Sequence, residues 1–339
     1  MKEAMLYEPL GEDRVHCHLC AHHCAIAPGG RGICQVRENR DGTLYTLVYG
    51  KVIARHVDPI EKKPLFHFHP GSRAYSVATA GCNFRCAWCQ NYDISQMPRD
   101  HERILGQEAD PEEIVEVAQT SDCLSIAYTY TEPTIFFEYS YDIARLAKDV
   151  GIANVYVTNG FMTHMAIEAI HEYLDAANVD LKAFRDETYR EYVGARLQPV
   201  LDSMKLMKQL GIWLEVTTLL IPGINDDREE LEDAAAFIAE ELGPETPWHL
   251  SRYFPAYKMR DVPPTPEATV TKAMEIGQEA GLRYVYAGNS QQNMSTSCHE
   301  CGHSLVRRAG YVVIRNQVTE DGKCPECGTP VAGVGMQGS

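Results

Sequence analysis

From about residue 74 onward, apolar runs and amphipathic stretches alternate along the chain. Runs rich in β-branched and aromatic residues lie at 74–79, 124–130, 153–158, 177–181, 213–221 and 248–254, with a seventh candidate at 283–286. Between them, 111–120, 135–150, 164–174, 199–210 and 228–242 carry apolar residues at the spacing of one helix face. The last of these opens behind Asn225-Asp226-Asp227, whose side chains suit an N-cap, and stops at Gly243. Strands that alternate with helices of this length imply βαβ units and a parallel sheet. Six such units predict an α/β fold, a partial (β/α)6 TIM-like barrel.

The flanks break this rhythm. Residues 1–40 are dense in Cys, His and Gly and show neither a helical nor a strand period. A segment that buries so little apolar surface needs a metal to order it. Residues 41–73 read as short strands at 43–49 and 51–57, then a connector broken by Pro59, Pro64, Pro70 and Gly71. Residues 291–339 hold two cysteine pairs, a strand-like run at 311–318 and a Gly-rich end. The expected division is a metal module (1–40), a connector (41–73), the barrel (74–290) and a zinc-ribbon-like module (291–339).

A formal net charge of −16 argues against general nucleic-acid binding, because such a surface repels phosphates. No run approaches the length of a membrane span, and the first residues lack the apolar stretch of a secretion signal, so a cytoplasmic protein is expected. Twelve cysteines are then unusual, since cytosolic thiols stay reduced. All but Cys123 fall into three tight groups, and clustered thiols in a reducing compartment point to metal.

The central group is Cys82-Asn83-Phe84-Arg85-Cys86-Ala87-Trp88-Cys89, directly after the first barrel strand. Its three thiols are one short of a zinc site and of a fully ligated four-iron cluster. One iron is thus left open to a ligand. Gly81 lets the chain turn off the strand, and sites on α/β barrels lie at the strands' C-terminal ends. This C-x3-C-x-aromatic-C loop resembles the signature of radical S-adenosylmethionine (SAM) enzymes, over about residues 74–290. The resemblance implies a [4Fe-4S] cluster on Cys82, Cys86 and Cys89 whose open iron binds SAM. Reductive cleavage then yields a 5′-deoxyadenosyl radical, which takes hydrogen from a substrate. An electron donor of flavodoxin or ferredoxin type is implied as well.

The same resemblance assigns cofactor-binding roles at other strand ends. Trp88 corresponds to the family's aromatic near the adenine. Glu132, in Tyr128-Thr129-Tyr130-Thr131-Glu132-Pro133-Thr134, stands where the family has Gly-Gly-Glu, which binds the SAM amino group; the two glycines are absent here. It also reads as a solvated acid near a helix start. Thr158-Asn159-Gly160 and Asp180-Leu181-Lys182 are similar to segments of glycyl-radical-enzyme activases, as is His249. Asp180 and Lys182 share one strand face, so an ordinary ion pair explains them too. His249 equally reads as a core histidine. Leu219-Leu220-Ile221-Pro222-Gly223-Ile224-Asn225-Asp226 is similar to the family's adenine-side segment.

The first flanking group is Cys17, Cys20, Cys24 and Cys34, with His16, His18, His22 and His23 nearby. Four thiolates there suit a structural zinc or an iron–sulfur cluster, and the histidine-rich setting leans the reading toward zinc. The second, Cys298, Cys301, Cys324 and Cys327, reads as a zinc ribbon, although a rubredoxin-like iron site uses the same ligands. Together the modules resemble the radical SAM component of the AmmeMemoRadiSam system, a homologue of pyruvate formate-lyase-activating enzyme. That resemblance implies Memo-like and AMMECR-domain partners. Activation of a glycyl-radical enzyme is the alternative within enzymes, and a zinc-dependent adaptor the alternative outside them.

Overall fold

The computed structural model describes residues 1–290, 292 and 294–338. The boundary expected at 290–291 falls on Gln291, outside the described residues. Among the described residues, seven parallel strands form the centre: Arg73–Thr79, Ser125–Tyr128, Ala153–Thr158, Ala176–Asp180, Trp213–Leu220, Trp248–Arg252 and Val285–Gly288. Each pairs with the next in that order, and the seventh joins the sixth in the register Trp248↔Val285. Pro111–Thr120, Phe137–Asp149, His164–Ile170, Gln198–Gln209, Arg228–Phe237 and Glu267–Glu279 are the crossover helices. Thr163 and Asp227 cap two of them, accepting from the N–H groups of Ala166 and Glu230 at 3.2 and 3.0 Å.

Residues 41–73 do more than connect. Lys51–Pro59 lies antiparallel against the first parallel strand, from Val52↔Thr79 to Pro59↔Arg73, and extends the sheet. Pro59 ends it, having no N–H to donate. The chain then crosses beneath the barrel. Ile60, Leu65 and Phe68 pack on Ala74, Ala127, Val155 and Ala176, toward the strands' N-terminal ends. This floor is held by Glu215, whose carboxylate accepts from the N–H groups of Phe66 and His67 at 3.0 and 2.8 Å. Arg308, from the C-terminal segment, donates to the Phe66 carbonyl at 2.8 Å.

Apart from Thr43–Thr46, which matches the run expected at 43–49, the N-terminal segment contains strands that its pattern does not show. Tyr7–Gly11, Arg14–Cys17 and Ala25–Ile26 form one small sheet; Lys2–Glu3, Thr43–Thr46 and Arg37–Arg40 form another. Glu12 and Asp13 take φ of 52° and 55°, a turn usually marked by Asn-Gly or Asp-Gly. Thr296–Ser297, Ser304–Ala309 and Val312–Asn316 make a third antiparallel sheet around Leu305, Val306 and Val318. No helix among the described residues is long and apolar enough to cross a membrane.

Candidate functional site

The mouth of the barrel, where the parallel strands end, holds a cavity of about 260 Å³. The loop after the first strand forms one wall. Gly81 turns it at a φ of 112°, and a Cβ there would sit 2.8 Å from Val36, so no larger residue fits. Cys82, Cys86, Cys89 and Trp88 all line the cavity. Burial pushes the Cys86 thiol up to about 12 and the Cys82 thiol well above its ordinary value. Thiols so disfavoured as anions become thiolates by meeting a cation, which a metal cluster supplies. Cys82 Sγ accepts from the Phe84 N–H at 3.3 Å. Trp88 Nε1 and Asn83 Nδ2 are buried without a partner. Donors left open beside three thiols suit a sulfide-rich cluster, whose sulfurs take hydrogen bonds.

The opposite walls come from later strand ends. Glu132, Asn159, Asp180 and Lys182 line the same cavity. Glu132 is buried, and its Oε1 accepts from Thr134 N–H, Thr134 Oγ1 and Thr158 Oγ1 at 3.0, 2.5 and 2.6 Å. Oε2 accepts from the Asn159 N–H at 2.8 Å and keeps room for another donor. Burial raises the Glu132 pKa even against these bonds. No Lys or Arg pairs with it among the described residues. Asn159 Nδ2 reaches the Asn83 side-chain oxygen at 2.7 Å, joining the third strand end to the cysteine loop. Lys182 Nζ pairs with Asp180 at 2.8 Å. Burial opposes the lysine's charge, but Asp180 and the Cys86 sulfur hold its pKa above the usual lysine range.

His249 stands apart from this group. It is the second residue of its strand, near the barrel floor, and it does not line the cavity. Its Nε2 meets Glu215 at 2.6 Å and its ring stacks on Tyr286 at 5.2 Å. The structure thus places it with the polar network that anchors the floor. Residues not singled out in sequence also line the cavity: Tyr130, Thr131, Thr217, Ser251 and Asn289. Apart from Thr217, in the middle of its strand, each lies in or just after a strand's C-terminal end, so position was the available signal. Tyr130 takes a left-handed φ of 64°, and its carbonyl accepts from Asn91 Nδ2 at 2.7 Å.

The terminal cysteines form two separate groups. Cys298, Cys301, Cys324 and Cys327 bring all four sulfurs within 4.8 Å of one another, the arrangement of a single bound ion. Cys17, Cys20, Cys24 and Cys34 sit against the mouth loop. Arg37 donates to Cys17 Sγ at 3.2 Å and also pairs with Glu138. Of the nearby histidines, His22 bonds the Asn83 carbonyl at 2.8 Å. His16, His18 and His23 bring their ring nitrogens within 4.8 Å of one another toward the surface.

The Radical SAM superfamily profile matches residues 76–238. An uncharacterized protein of Methanocaldococcus jannaschii, MJ0808, is 46% identical over 98% of this chain and 99% of its own. The pyruvate formate-lyase-activating enzyme of Clostridium pasteurianum is 24% identical over 57% of this chain and 84% of its own. Among solved structures, Streptococcus suis SuiB bound to S-adenosylmethionine superposes with a TM-score of 0.51 at 14% identity, over 68% of this chain and 53% of that one. At that identity the likeness is one of fold.

Proposed function

Because the chain belongs to the radical SAM superfamily, and is therefore an enzyme, we propose that it cleaves SAM reductively at Cys82, Cys86 and Cys89 and abstracts hydrogen from a substrate held in the mouth cavity. One observation carries this reading. Three buried or half-buried thiols, a buried carboxylate with an open lone pair and a Lys–Asp pair, from three strand ends, line one cavity. The cluster and SAM, when bound, supply the radical. The protein holds and orients them. Glu132 suits the SAM ammonium, since an unpaired buried carboxylate gains most from a cation. Asn159 fixes the cysteine loop through Asn83, and Asp180 keeps Lys182 charged beside Cys86.

A second reading, activation of a glycyl-radical enzyme, is favoured by the cavity positions of Asn159, Asp180 and Lys182 and by the likeness to the clostridial activating enzyme. Memo-like and AMMECR-domain partners remain the proposal that the paired terminal modules support. A ferredoxin or flavodoxin type of donor is proposed to deliver the electron. Family membership sets aside the adaptor reading.

The test is formation of 5′-deoxyadenosine by anaerobically reconstituted, reduced protein. Replacing Cys82, Cys86 and Cys89 together with Ala is expected to abolish it. Persistence of cleavage in that variant would sink the proposal.

A further inference from the structure

The two terminal cysteine quartets differ in size, and size discriminates between metals. A single tetrahedral ion holds each thiolate at about 2.3 Å, which sets any two of them about 4 Å apart. The C-terminal quartet has this size, with Sγ–Sγ distances of 3.6 Å for Cys298–Cys327 and 3.7 Å for Cys301–Cys324. Among the described residues, no three of Cys17, Cys20, Cys24 and Cys34 gather within 4.8 Å. They nevertheless face one another: Cys20 lies within electrostatic reach of Cys17, Cys34 and Cys24, and Cys34 of Cys17 and Cys24. Cys82, Cys86 and Cys89 are spread in the same way. A polynuclear cluster imposes this spread, because each thiolate binds a different iron and the irons' separation adds to the span.

Hydrogen-bond donors complete the site. The Ile33 N–H donates to Cys24 Sγ at 3.5 Å, and Arg37 donates to Cys17 Sγ at 3.2 Å. Such bonds stabilise thiolate charge on a buried cluster.

Placement supplies the second argument. The Cys34 carbonyl lies 3.6 Å from where a Cβ of Gly81 would be, one residue before Cys82. Arg99 donates to the carbonyls of Ile33 and Phe84, at 3.0 and 3.4 Å, and so clamps the two cysteine loops together. His22 adds a third link through the Asn83 carbonyl. The C-terminal quartet has no comparable position, since its module reaches the barrel at the floor, through Arg308.

We infer that Cys17, Cys20, Cys24 and Cys34 hold an auxiliary four-iron cluster that relays single electrons to the central one. A low-potential donor of the ferredoxin or flavodoxin class loses one electron, the auxiliary cluster gains it and then passes it on; no covalent bond changes. The relay role rests on the radical SAM reading of the central loop, whereas the identity of the metal does not.

The Cys82→Ala, Cys86→Ala, Cys89→Ala variant, reconstituted without oxygen, should keep about four irons with matching sulfide and about one zinc per chain. About two zincs with iron near zero would overturn the inference. A measurement on the unaltered chain guards against misfolding of the variant. Its reduced form should give two electron paramagnetic resonance signals, one that shifts on adding SAM and one that does not. Only a SAM-responsive signal would overturn the auxiliary cluster and leave the proposed function standing. Only a SAM-insensitive signal would do the reverse.

Discussion

Two quartets of cysteines, each built on a Cys-x-x-Cys turn, end up in opposite surroundings. The C-terminal four close tightly on one point, and two of them, Cys301 and Cys327, are exposed. They staple a small sheet whose own core is Leu305, Val306 and Val318. The N-terminal four are buried or half-buried, spread wider, and lean on the loop that carries Cys82, Cys86 and Cys89. Ligand type is therefore a poor guide to role. What separates the proposed staple from the proposed redox centre is the spacing the backbone imposes and the part of the barrel it touches. One module grips the floor and the other the mouth.

The largest expected effect tests the staple. Structural zinc contributes on the order of 10 kcal/mol to the folding of a small module. Cys301→Ser with Cys327→Ser should therefore lose one zinc per chain and unfold the C-terminal sheet, seen as fast amide exchange across Ser304–Ala309. The iron content and its visible absorption should stay. Loss of iron in this variant would break the division between floor and mouth.

A smaller effect tests how the staple grips the floor. Arg308 and Glu61 pair at 3.4 Å with both side chains fully buried. Arg308→Met leaves Glu61 uncompensated, at a cost of about 3–5 kcal/mol. Burial already raises the Glu61 pKa, and Arg308 opposes that rise. Without Arg308 the folded pKa climbs further above the unfolded value. Folded protein then holds a proton that unfolded protein has lost, so stability falls as pH rises through that window. The variant's deficit in unfolding free energy should be larger at pH 8 than at pH 5. A pH-independent deficit would mean that Glu61 is not the group left stranded.

Much of the barrel is legible because its strands and helices repeat two clear periods, and the mouth residues are legible through the family resemblance of segments that lie at strand ends. Cys82, Trp88, Glu132, Asn159, Asp180 and Lys182 reach one cavity for that reason. His249 resembles an activase histidine but stands at its strand's start, and of its two readings the core histidine is the one its floor contacts match. The floor was not legible: 60–72 has no period, and its order comes from side chains far along the chain, Glu215 and Arg308. The N-terminal strands were hidden because they are short, mostly polar and joined at Glu12-Asp13 by an unmarked turn. Nor did the N-terminal spacing in sequence fix a metal, since sulfur-to-sulfur distance is a tertiary property.

The smallest expected effect concerns how electrons reach the mouth. Between the N-terminal quartet and the Cys82–Cys89 loop lies a cleft of about 320 Å³ lined by His22, Ile33, Asn83, Arg85 and Arg99, among others. Arg85 is exposed, and Gly194 leaves room for it where any Cβ would come within 2.3 Å of its Nε. In a chain of net charge −16, two arginines at the junction of both cysteine loops form a local exception. An acidic one-electron donor would be drawn to that point by opposite charge, and such attraction between exposed groups is screened as the Debye length shrinks from about 14 to 7 Å between 50 and 200 mM salt. Reduction by an acidic flavodoxin should therefore slow by about threefold over that range, and Arg85→Gln should flatten the dependence without changing the metal content. A flat salt profile in the unaltered protein would move the donor's docking point away from the mouth, and with it the advantage of having the wider quartet there.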